Sequence, residues 1–179
     1  PASATVPGME GIDAARSDDG VAQDASPLPA SWDGDALAAP FERLDPSAMT
    51  HIAEQGWGLE VLSLRRLDTE RDDTYLLDAA DGAGRVQRIL KVAHPLDDHG
   101  LLDLQCSAVA WAHERDPGLP LPLVVPDRDC AQLRVVHLPD GRTRIARLLH
   151  YLPGSLIDYS STSPDQRQAV GRMVARLSV

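Results

Sequence analysis

Val86-Gln87-Arg88-Ile89-Leu90-Lys91-Val92 is the most strand-like run of this chain. Alternation places Val86, Arg88, Leu90 and Val92 on one face and Gln87, Ile89 and Lys91 on the other. Lys91 is the sole lysine, and the other sixteen basic residues are arginines. Arginine is a planar fork, whereas lysine is a compact point charge on a flexible stem. A lone ammonium on a half-buried strand points to a site that needs the point charge. The competing account is codon bias with one chance survivor.

Working upstream, Leu59 to Leu64 and Thr74 to Asp78 read as two further strands, the second followed by a turn over 79–84. Before them, Asp45 and Pro46 suit the cap and first turn of a helix whose inner face is Met49, Ile52 and Ala53, ended by Gly56 or Gly58. Residues 1–44 are rich in Ala, Ser, Asp, Gly and Pro and lack periodicity. They read as a disordered acidic tail, unable to bury enough apolar surface to offset ordering entropy. Residues 1–45 hold nine acids against two arginines, so most of the formal net charge of −10 lies there.

Downstream, Pro95, Asp97 and Asp98 signal the start of a long helix with Leu101, Leu104, Gln105, Ala108, Val109, Trp111 and Ala112 at helical spacing. Asp97, Asp98 and His99 near His94 resemble a metal cluster but are better explained by capping preference. Leu119-Pro120-Leu121-Pro122 is an extended connector, and two strands follow, Gln132 to Leu138 and Thr143 to Tyr151. Pro153-Gly154 breaks the last. Ser163, Pro164 and Gln166 open a final helix with a capping box and a stripe of Val170, Met173, Val174 and Leu177. That stripe is still running at Val179, which reads as a cut. The expected fold is α+β: a five-stranded antiparallel sheet with one long packed helix and flanking helices.

Composition narrows the function classes. An apolar fraction of 43% supports a globular core, and with one Phe, three Trp and three Tyr that core must be mainly aliphatic. The acidic balance argues against nucleic acid as partner, since phosphate backbones call for clustered Lys and Arg. No apolar run approaches the ~20 residues of a membrane span. Cys106 and Cys130 form no metal or disulfide spacing, and the start lacks a secretory pattern, so a reducing cytoplasm is the expected setting.

Six segments in order resemble one family: Leu67-Asp68-Thr69-Glu70-Arg71-Asp72-Asp73-Thr74-Tyr75, Ile89-Leu90-Lys91-Val92, Leu102-Asp103-Leu104-Gln105, Leu119-Pro120-Leu121-Pro122, Leu148-Leu149-His150-Tyr151-Leu152-Pro153-Gly154, and Gly171-Arg172-Met173-Val174-Ala175-Arg176-Leu177. Together they resemble the N-terminal lobe of the aminoglycoside phosphotransferase-like (protein-kinase-like) family, most closely its hydroxylysine kinase-like branch. Such lobes also occur fused to class-III aminotransferases. The resemblance implies an ATP-covering lobe over 45–179 in which Lys91 binds the α- and β-phosphates and Ile89 covers the adenine. Gln105 takes the helix position where many relatives carry glutamate. The Thr69 to Thr74 loop lies over the phosphates, although it lacks glycines. Leu149 precedes a hinge of His150, Tyr151 and Leu152 whose backbone reads the adenine.

Each residue also has a plainer account. Gln105 can be an ordinary helix residue, residues 70–73 a solvated charge run, and His150 a partly exposed strand histidine. An H-x-D-x-x-x-x-N loop and a magnesium-binding Asp do not occur, so no catalytic or metal residue is assigned in this chain, and the Mg ligands and the small-molecule hydroxyl acceptor are expected on a second lobe. The lobe by itself is expected to be catalytically silent. The rival reading is a non-catalytic module of a larger fusion enzyme such as an aminotransferase.

Overall fold

The computed structural model describes residues 40–69, 71–155 and 160–178. Of the acidic tail expected over 1–44, residues 1–39 lie outside them; residues 40–44 are described and are not a free tail, since Phe41, Arg43 and Leu44 make side-chain and backbone contacts with the lobe. Helix α1 (Pro46–Trp57) precedes a meander of β1 (Glu60–Arg66), β2 (Asp73–Asp81) and β3 (Gly84–Val92). Helix α2 (His99–Arg115) leads to β4 (Val124–Val125), β5 (Arg134–His137) and β6 (Thr143–His150), and α3 (Pro164–Leu177) follows. All pairings are antiparallel in the order β1-β2-β3-β6. The far edge of β6 is shared by β5, against residues 143–146, and β4, against Leu148 and Leu149.

The sheet therefore has six strands, not five. β4 is only two residues long, too short to show a period, and it forms because β6 offers it a free edge. The turn expected over 79–84 is also shorter. Ala79 is buried and β2 runs on to Asp81, leaving a two-residue hairpin at Gly82 and Ala83. Asp81 accepts from the N–H groups of Ala83 (3.0 Å) and Gly84 (3.2 Å). Gly84 has φ 140°, which an L side chain rarely adopts.

The main core lies on the α1 side of the sheet. Met49, Ile52 and Ala53 of α1 pack with Tyr75, Leu77, Ala79, Leu90, Val92, Ala146 and Leu148. Asp45 caps α1 by accepting from Ala48 N–H at 2.8 Å, and Gly58 ends it in the left-handed region at φ 69°. A smaller cluster of Ala93, Leu102, Cys106 and Leu133 forms on the α2 side, flanked by Val124 and Ile145. The buried edge of α2 is thus Leu102 and Cys106. Leu101, Leu104 and Trp111, expected to face the core, are 53%, 63% and 49% exposed. Apolar residues spread around more than half the helix left two stripes to choose between, and the sheet took the one carrying Cys106.

Capping follows the sequence. Asp98 accepts from Leu101 N–H at 2.9 Å, and Ser163 and Gln166 form the reciprocal capping box at 3.2 and 2.8 Å. The α3 stripe, however, packs on no core: Val170, Val174 and Leu177 are all exposed.

Candidate functional site

Alternation on β3 puts Leu90 and Val92 into the α1-side core and turns Ile89 and Lys91 to the α2 side. On β6 the same rule buries Arg144, Ala146 and Leu148 and turns Ile145, Arg147 and Leu149 to the α2 side. Register places Ile89 opposite Leu149 and Lys91 opposite Arg147. Directly opposed side chains on one face touch. The result is a cavity of about 220 Å³ lined by Lys91, Gln105, Cys106, Val109, Pro122, Val124, Arg147 and Leu149. Its cations are Lys91 and Arg147, and most of the rest is aliphatic.

Lys91 Nζ lies 2.7 Å from Asp72 Oδ2. Asp72 belongs to the loop between β1 and β2. Gln105 accepts instead from Arg147 Nη1 at 3.1 Å. The cavity brings Lys91, Gln105 and Leu149 together, but the ammonium is held by the loop and not by the helix. Two cations directly opposite each other repel. A carboxylate on one and an amide oxygen on the other reduce that cost.

The loop is fixed by its own polar groups. Thr69 Oγ1 donates to the Asp72 carbonyl at 2.8 Å and meets Thr74 Oγ1 at 3.2 Å. Leu67 N–H donates to the Thr74 carbonyl at 2.9 Å. Arg71 Nε donates to Asp97 Oδ1 at 2.9 Å, tying the loop to the entry of α2. Thr69 does not line the cavity; it acts on the loop that carries Asp72. Glu70 lies outside the described residues.

His150 closes β6, and its N–H donates to the Leu123 carbonyl at 2.9 Å. Partial burial, then the guanidinium of Arg88 across the strand pair, hold its imidazole below the ordinary histidine value. Tyr151 is half-buried and Leu152 exposed, both beyond the strand.

Sequence reasoning missed the most buried polar group nearby. Asp73 is 0% and Arg144 3% exposed, and Arg144 Nη1 donates to Asp73 Oδ2 at 2.7 Å. Arg144 Nε and Nη2 donate to the carbonyls of Ala93 (2.7 Å) and Val92 (2.9 Å), so the guanidinium clamps the end of β3 just past Lys91. A signal existed: each charge sits on the apolar register of its strand, Asp73 with Tyr75 and Leu77, Arg144 with Ala146 and Leu148.

No protein-family model matches the chain. It is 27% identical over 139 residues to the hydroxylysine kinase of Danio rerio, covering 75% of this chain and 38% of that protein. Among solved structures, the amicoumacin kinase hAmiN in complex with AMP-PNP, Ca2+ and Ami aligns with a TM-score of 0.62 at 17% identity, over 75% of this chain and 39% of that one. A microcompartment-associated aminopropanol kinase aligns with a TM-score of 0.57 at 26% identity, over 75% of this chain and 40% of that one. The chain spans about two fifths of the length of each of these relatives.

Proposed function

We propose, for a chain that carries the aminoglycoside phosphotransferase-like, protein-kinase-like fold over about 75% of its length, that it is the ATP-covering lobe of a small-molecule kinase. The observation that supports this most is the pairing of β3 with β6. It sets one ammonium beside an apolar cavity with Ile89 and Leu149 adjacent on the same face.

The residues fit a nucleotide. Leu149, Val124, Val109 and Pro122 offer an apolar wall for a flat ring, Ile89 stands opposite Leu149 but does not line the cavity, and Lys91 donates to the α- and β-phosphates without fixed planar geometry. Because the His150 N–H is already committed to Leu123, the adenine edge falls to the backbone of Tyr151 and Leu152. A cavity of about 220 Å³ is below the ~300–1,000 Å³ of a complete small-molecule site, as suits one wall of a cleft. ATP supplies the phosphoryl group, and a divalent ion, magnesium in our reading, screens its charge.

The acceptor is a hydroxyl on an amine-bearing metabolite. Hydroxylysine and aminopropanol, in the names of two relatives, both combine those groups. In this reading the groups that activate the hydroxyl and hold the metal lie outside the lobe, and the lobe by itself binds nucleotide weakly without turnover.

Replacing Lys91 by Met in the full chain and titrating ATP tests the reading. Loss of a charge-assisted phosphate contact weakens binding by about tenfold or more. Equal affinity of the two proteins removes the nucleotide role.

A further inference from the structure

The segment just before α1 does more than enter the fold. The Phe41 ring lies 4.5 Å from the Arg43 guanidinium and 4.8 Å from that of Arg144, with the His94 ring edge-on at 4.6 Å. Leu44 N–H donates to Asp73 Oδ2 at 3.1 Å, the same oxygen that receives Arg144. Arg43 reaches the loop: Nη1 donates to the Asp72 carbonyl at 2.7 Å and Nη2 to the Thr69 carbonyl at 3.2 Å. Contacts from Phe41, Arg43 and Leu44 thus lay residues 41–44 along the β1–β2 loop and the end of β3.

From this we infer that Phe41–Leu44 is a strap that sets Lys91 through Asp72, with Arg43 and Asp72 as its positioning residues. The Asp72 carbonyl receives two donors, Arg43 Nη1 and Thr69 Oγ1, so its backbone is fixed. Its carboxylate, carried on that fixed backbone, reaches Lys91 Nζ at 2.7 Å. On the far side of the loop Arg71 is anchored to Asp97. The loop is gripped from both sides, and the strap supplies one grip.

This arrangement answers two oddities of the sequence. The loop lacks the glycines that would let backbone N–H groups fold over phosphates, so side-chain hydrogen bonds fix it instead. The helix position that could hold the lysine is the neutral Gln105, which is engaged with Arg147. A carboxylate holds an ammonium by charge attraction as well as by the hydrogen bond, whereas a neutral amide supplies the hydrogen bond alone. The counter-ion of Lys91 comes from the loop and not from the helix, so the lysine's position depends on what holds the loop.

The consequence for ATP rests on the nucleotide reading above; the strap itself does not. Because Lys91 is the only lysine, reductive methylation with 13C-formaldehyde gives one dimethyl-lysine resonance in the full chain. Asp72→Asn should move that resonance, and Arg43→Ala should move it in the same direction. Should Arg43→Ala fail to fold, Arg43→Met keeps side-chain bulk beside Phe41 while removing both donors, and is read in the same way. An unchanged resonance in the Arg43 variant beside a shifted one in Asp72→Asn overturns the strap. An unchanged resonance in Asp72→Asn overturns the counter-ion as well. Binding of the fluorescent nucleotide TNP-ATP is the second readout, with Arg43→Ala weakening it about two- to tenfold, the worth of one hydrogen bond. Absence of TNP-ATP binding in the unsubstituted chain counts against the nucleotide reading and leaves the resonance test standing.

Discussion

Asp73 and Arg144 form the buried ion pair on the face of the sheet opposite the site. Their ion pair is buried on the α1 side, and the Arg144 fork also takes the last carbonyls of the Lys91 strand. Desolvating two charges is costly, so such a pair is weak evidence of net stability. Removing one partner is a different matter, because it strands the other charge in the core. Asp73→Asn should therefore cost about 3–5 kcal/mol in urea unfolding, whereas Asp72→Asn, one residue earlier and partly exposed, should cost about 1 kcal/mol or less. Equal losses at the two positions would contradict this assignment. Lys91 itself was legible from its uniqueness and its place on the strand. Its partner was not, because Asp72 lies in a run of four charged residues, and only the three-dimensional path of the loop singles out one of them.

At the scale of elements, the short-range signals read well. The caps at Asp45, Asp98 and Ser163 come from side chains bonding N–H groups three residues on, so local sequence suffices. Which face a helix buries is a tertiary matter. The α1 stripe is narrow and was unambiguous, while the apolar residues of α2 were too widely spread to choose a face. The loop after β4 was not legible at all. Asp127 there accepts from the N–H groups of Asp129 and Ala131, both at 2.9 Å, and from Arg134 Nη1 at 3.0 Å.

Burial alone would push the Asp127 carboxyl up, but the N–H of Ala131, the Arg134 guanidinium and the N–H of Asp129 more than offset it, and the group sits below its ordinary value. A carboxyl depressed in the folded state contributes stability above its unfolded value, near pH 3.9, and loses it as pH falls through the folded value. Asp127→Asn should destabilise the protein at pH 7, by about 1–3 kcal/mol, and the difference from the parent should shrink below about pH 4. A gap that stays constant to pH 2 would show that the carboxylate's charge is not what stabilises the loop.

For the whole molecule, α3 stands apart among the described elements. None of its residues is buried, and Arg176 Nε bonds Asp116 Oδ2 at 2.7 Å on the surface at the end of α2. Exposed ion pairs are worth about 0–1 kcal/mol, so little opposes local opening of this helix. Backbone amides of α3 should exchange with deuterium far faster than those of β3 and β6, and Arg176→Ala should speed α3 further without changing the sheet. Protection of α3 equal to that of the central strands would contradict the exposure of its apolar stripe. Leu101, Leu104 and Trp111 on α2 expose a second apolar surface. The layer architecture followed from strand alternation; which helix would cover the larger core did not, because both carry apolar residues and only packing decides between them.

The central claim is that the single ammonium of this chain meets a triphosphate in the cavity between β3, β6 and α2. The most direct measurement follows the 13C-dimethyl resonance of Lys91 while magnesium and ATP are titrated into the full chain. That resonance should shift saturably, with a midpoint that matches the affinity measured by calorimetry. A bound nucleotide that leaves the Lys91 resonance where it was, or a flat calorimetric trace at millimolar ATP, would contradict it.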